Sequence, residues 1–123
     1  MAFWDYRISQ GFGTTDEQLD SPYRGSAHVI KGLDFSVPAG ERVETPVSGI
    51  VVAAGPGDEG WGVRVWVRDA DGRTHNLGHL SKVTVKAGDQ VRAGQVVGLS
   101  GYTGRSTGPH VSYDVWDEGG EFI

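Results

Sequence analysis

The stretch VKAGDQVRAGQVVGLSGYTGRSTGPH, residues 85–110, decides the fold. Its valines stand in short runs between glycine-containing turns, and no helical periodicity runs through it, which is the pattern of short β-strands. Its opening, Val85-Lys86-Ala87-Gly88-Asp89-Gln90-Val91, matches Val37-Pro38-Ala39-Gly40-Glu41-Arg42-Val43: valine, any residue, alanine, glycine, an acid, any residue, valine. Each copy reads as a turn with glycine at a strained position, then a strand. Two copies do not make a solenoid; they fit a pseudo-symmetric sandwich.

Outward from this stretch the same texture continues. Gly49 to Ala54, Val63 to Arg68, Arg73 to His79 and Gln95 to Leu99 read as strands. In Val63-Arg64-Val65-Trp66-Val67-Arg68 the valines share one face, and Arg64, Trp66 and Arg68 share the other. Asp71-Gly72 is a hairpin turn signal. Residues 14–26, TTDEQLDSPYRGS, read as a polar surface loop. The fold class expected is all-β, mostly antiparallel, as a barrel-sandwich in one domain over residues 1–123. Residues 7–27 supply an N-terminal strand and the loop, and 28–117 the core.

Composition narrows the function. The chain has 123 residues and no cysteine, so disulfides, thiolate-bound zinc, iron–sulfur clusters and thiol catalysis are excluded. A formal net charge of −5 with no basic run argues against a nucleic-acid partner. No apolar run is long enough for a membrane span, and the N-terminal MAFWDYRISQ lacks a signal-peptide pattern, so cytoplasmic synthesis is expected.

The segment Gly108-Pro109-His110-Val111-Ser112-Tyr113-Asp114-Val115 reads as a strand entered through a Gly-Pro turn. His110 and Ser112 then face one way, about 6.6 Å apart, with Asp114 next in line. That aspartate either orients a histidine or is a solvated charge. His75 shares a face with His79 on an ideal strand, about 13 Å away, too far to join the same metal. Its plain reading is a surface or strand histidine. Trp61, Trp66 and Trp116 read either as exposed interface residues or as packing over the sandwich.

The order ISQGFG, then KGLDFSVPAGERVETPVSGIVVAAG, then GHLSKVTVKAGDQVRAGQVVGLSGYTGRSTGPHVSYDV resembles the lysostaphin-type (LytM-like) zinc endopeptidases, from about Ile8 to Trp116. The resemblance implies the duplicated hybrid motif fold and a particular site. The family's first motif, H-x-G-x-D, aligns with Ile30-Lys31-Gly32-Leu33-Asp34, so Asp34 keeps a zinc-ligand position and Ile30 fills the other. His79-Leu80 keeps a catalytic histidine. In the H-x-H motif His110 keeps the second catalytic histidine, and Ser112 replaces the third ligand. A catalytic zinc takes three protein ligands and leaves one position open. Isoleucine has no lone pair to offer, and a neutral hydroxyl is a poor ligand. His28, two residues before Ile30, is the substitute to consider, brought in by a bulge.

The resemblance therefore implies a non-catalytic, pseudo-peptidase module with no cofactor. Its groove, formed by His79, His110, Ser112 and Asp114, would bind a peptidoglycan peptide or a structural protein. Such a module would serve as a homo-oligomer or as part of a phage virion or tail. The alternative is an active zinc endopeptidase with rearranged ligands. Lipoyl-type carriers are set aside because Lys31, Lys82 and Lys86, the chain's lysines, stand in no convincing central hairpin.

Overall fold

The computed structural model describes residues 3–5, 8–10, 33–104 and 108–121. After a 3-10 turn at Phe3–Asp5 the described residues run through nine strands. These are β1 (Ile8–Gln10), β2 (Leu33–Phe35), β3 (Arg42–Glu44), β4 (Gly49–Pro56), β5 (Val63–Arg68), β6 (Thr74–Val83), β7 (Gln90–Val91), β8 (Val96–Ser100) and β9 (Val111–Trp116). Every pairing among them is antiparallel. The expected all-β architecture holds, and Val63–Arg68 has the bounds read from sequence. The loop expected at 14–26, together with His28 and Ile30, lies outside the described residues.

The main sheet runs β1-β2-β9-β6-β5-β4-β7, and β8 pairs with both β3 and β6. The long strand β6 makes this sandwich possible. Its first half is paired on both sides, with β5 and β9, and its second half leaves for β8. Val51, Val65, Val67, Leu77 and Val111 cover the inner face of the main sheet, while Val37, Val43 and Val97 come from the β3–β8 side. Phe3 closes the core against Phe35 and Tyr113. Burying such side chains contributes roughly 1.5–3 kcal/mol each, the main stabilising term in so strand-rich a chain.

The repeated motif does what its pattern requires. Gly40 and Gly88 both take positive φ, 89° and 96°, a region a β-carbon disfavours. Each turn delivers its second valine to the core, Val43 and Val91. The Asp71-Gly72 turn closes on Asp69, whose Oδ1 accepts the Asp71 and Arg73 amides at 2.9 and 3.0 Å.

The other face of the main sheet is set by register, because directly paired residues project to the same side. One row across it is Asp34, Ser112 and Gly78. The next is Asp114, Asn76 and Trp66. A third crosses five strands as Trp116, Thr74, Arg68, Ile50 and Gln90. This outer face carries every polar candidate on β2 and β9.

Candidate functional site in the sheet groove

The site begins with a break in β6. Val65 pairs with Leu77, but Val63 pairs with Leu80, so β6 holds one extra residue at Gly78-His79. His79 has φ 61°, the positive-φ non-glycine among the described residues. Such a bulge reverses the alternation of side chains. Leu77 and Leu80 consequently both reach the core, and His79 is thrown onto the outer face. Gly78 leaves room for Trp61: a β-carbon there would lie 3.0 Å from three atoms of the indole side chain.

This bulge corrects the reading of His75. An ideal strand puts it on the face of His79; here it lies on the opposite face. It is buried rather than superficial, with its ring nitrogens bonded to the Tyr113 hydroxyl (2.7 Å) and Asp69 Oδ2 (2.8 Å). It ties the β5–β6 turn to β9 and takes no part in the site. Of the two readings of Trp61, packing over the sandwich holds: it is 2% exposed, and it stacks on Trp116 at 5.9 Å.

His79 and His110 come together as the sequence suggests. Their rings meet edge to face at 4.6 Å between centroids. Each Nδ1 sits on a backbone carbonyl, Thr103 O at 2.7 Å and Gly108 O at 2.8 Å. A carbonyl only accepts, so both rings carry a proton at Nδ1 and direct Nε2 away from those carbonyls. His110 Nε2 lies 3.9 Å from Asp34 Oδ1, beyond a direct hydrogen bond.

Thr103 holds this arrangement. Its hydroxyl accepts the Val63 amide at 3.0 Å and donates to the Leu80 carbonyl, joining β5 to β6 just past the bulge. Gly62 and Gly104 lie back to back here, and a β-carbon on Gly62 would fall 2.5 Å from the Gly104 nitrogen. Thr103→Val keeps the shape and removes both bonds. It is expected to lower stability by about 1–3 kcal/mol in denaturant melts and to shift the His79 imidazole 15N signals, whereas Thr103→Ser leaves both near wild type.

Ser112 stands directly opposite Asp34 on β9. Its hydroxyl donates to Asp114 Oδ2 at 3.2 Å, the same oxygen that accepts Asn76 Nδ2 at 3.0 Å. Asn76 Oδ1 in turn accepts the Trp66 indole N–H at 3.0 Å. Asp114 is thus neither a solvated charge nor a histidine orienter. It is the buried hub of a Trp66–Asn76–Asp114–Ser112 network. Burial first, and the nearby Asp34 charge second, raise its carboxyl to about 7, against the opposing Asn76 and Ser112 hydrogen bonds. Sequence reading missed Asn76 and Thr103. The signal for the bulge was present in Gly78, an isolated glycine inside a strand pattern.

The described residues alone do not make a three-ligand zinc centre. A catalytic zinc takes three protein ligands. Of the positions that the resemblance implies, Asp34 keeps a donor, position 30 lies outside the described residues, and position 112 is an alcohol whose hydroxyl donates to Asp114. Among the described residues no three His, Asp or Glu side chains are placed to hold a metal ion.

A family model described as Peptidase family M23 matches residues 28–122. The glycyl-glycine endopeptidase ALE-1 of Staphylococcus capitis is 37% identical over 114 residues, which cover 91% of this chain and 30% of that protein. The catalytic domain of the antimicrobial peptidase lysostaphin from Staphylococcus simulans superposes with a TM-score of 0.80 at 32% identity, covering 96% of this chain and 88% of that one. The catalytic domain of a mutant of the prophage-encoded M23 protein EnpA from Enterococcus faecalis gives 0.77 at 28% identity, covering 96% and 87%. The chain spans less than a third of the length of these curated relatives. The match takes in the outer-face residues from Asp34 through the bulge to Trp116, and the chain belongs to peptidase family M23.

Proposed function

We propose that this chain is a non-catalytic M23 module whose groove binds a peptidoglycan peptide. The observation that carries this reading is Ser112 at the position opposite Asp34, with its hydroxyl turned onto Asp114. A metal centre there would need an imidazole or carboxylate, and a neutral alcohol serving as donor to a buried acid supplies neither. The isoleucine at position 30 removes a second donor by chemistry alone. Two imidazoles with fixed Nδ1 atoms and the Asp34 carboxylate remain side by side on this face.

The glycine-peptide specificity in the name of ALE-1 supports a peptide ligand, and the prophage origin of EnpA supports a place in a phage particle. Incubation with purified cell walls tests the proposal. The chain is expected to co-sediment with walls and release no soluble fragments; turnover abolished by a chelator would overturn it.

A second reading, an active zinc endopeptidase, is favoured by one feature. Both Nδ1 atoms are fixed on carbonyls, the arrangement that readies Nε2 for proton transfer or coordination. Zinc, when bound, would supply an activated water and polarise the scissile carbonyl. That reading needs two donors from residues other than Ile30 and Ser112.

A further inference from the structure

The outer face does not end at the candidate site. Its third row, Trp116, Thr74, Arg68, Ile50 and Gln90, leads into two cavities that share Arg68 as a wall. The nearer, of about 410 Å³, lies against Thr74 and Trp116 and has Asp117 and Glu118 on its rim. The farther, of about 700 Å³, is lined by Arg68, Arg92, Ile50, Gln90 and Gln95, together with Asp69.

The farther cavity sets two guanidiniums against one carboxylate. Asp69 is already committed, with Oδ2 on His75 and Oδ1 on the Asp71 and Arg73 amides. Neither Arg68 nor Arg92 forms an ion pair with a described residue. Arg64, the neighbouring arginine on the same face of β5, is by contrast consumed by Glu59 at 2.9 Å and by the Trp66 ring. In a chain of net charge −5, two guanidiniums against the one hydrogen-bonded carboxylate of Asp69 leave this cavity net positive, suited to an anion. Ile50, 42% exposed and paired with Arg68 on one side and Gln90 on the other, adds an apolar contact. The combination suits a carboxylate next to a small side chain.

We propose that this cavity is a carboxylate-binding subsite, and that the groove takes an extended peptide running from the Asp34–Ser112 row to Arg68 and Arg92. Four residues along β9 and two strand spacings separate Ser112 from Arg68, about 16 Å, or about five residues of extended chain. The proposal rests on the reading of this face as a peptide-binding groove and adds the chemistry of its far end.

The test titrates the whole chain with N-acetyl-pentaglycine as free acid and as amide, following arginine side-chain NMR signals. The acid is expected to shift the Arg68 and Arg92 Nε–H signals and to bind about tenfold more tightly than the amide. Arg68→Gln with Arg92→Gln, both exposed and without structural bonds from their guanidiniums, is expected to erase that preference, bringing acid and amide to equal affinity. Equal affinity for acid and amide, a preference that survives in the double variant, or silent arginine signals would each overturn the subsite. Inorganic phosphate outcompeting the acid peptide would overturn the carboxylate assignment. Wall co-sedimentation, run alongside, separates the two ideas. Arginine shifts without wall binding retire the proposed function and keep the subsite; wall binding without the shifts does the reverse.

Discussion

Replacing Ile30 and Ser112 together by histidine is expected to raise zinc affinity by about a thousandfold or more, roughly 4 kcal/mol. Two imidazoles would join Asp34 to make three protein ligands, the number an open catalytic site takes. Ser112 faces Asp34 across β2 and β9 and has Gly78 on its other flank, so a larger side chain at 112 projects toward the carboxylate. The single Ser112→His change is expected to gain far less. It adds one ligand and strips Asp114 of a hydrogen-bond donor. Isothermal titration with zinc for wild type, both single variants and the double variant measures the series. A flat series would mean that the groove has changed shape beyond its two missing ligands.

The second large effect concerns pH. Asp114 titrates at about 7 in the folded chain against an ordinary value of 3.8. An acid with a raised folded pKa binds more protons folded than unfolded between those two values, so stability falls as pH rises through that window. The penalty is absent below about 4 and complete above about 7, on the order of a few kcal/mol. Asp114→Asn keeps an oxygen for the Ser112 and Asn76 donors and removes the charge. It is expected to be more stable than wild type at pH 8, with the difference shrinking toward zero near pH 4. Denaturant melts of both proteins across that range check it. A difference independent of pH would place the Asp114 titration outside the window.

Much of the fold was legible because it rests on local rules. The glycine turns at 40 and 88, the valine faces of β5 and the hairpin at Asp71-Gly72 each follow from one residue's conformational preference or from alternation. The site was legible where residues lie near the strand that carries them: His110, Ser112 and Asp34 meet across β9 and β2 as the pattern implies.

What failed to show were features made by pairing. The bulge at Gly78-His79 moves His79 to the face opposite His75, and strict alternation has no term for an inserted residue. Asn76 reaches Asp114 only because β6 and β9 align them, although 38 positions part them in the chain. Thr103 likewise acts on Val63, 40 residues away. The tryptophans resolved the same way. Register and the glycine at 78 fold Trp61 down over the sheet, where sequence offered burial and exposure as equal options.

Metal analysis of the wild-type chain, purified in zinc-containing buffer and dialysed against metal-free buffer, bears most directly on whether an alcohol at 112 and an alkyl chain at 30 leave this peptidase fold without its ion. The expected result is zinc far below one ion per chain. One tightly held ion per chain, lost only to a strong chelator, would contradict it and return the protein to the hydrolases.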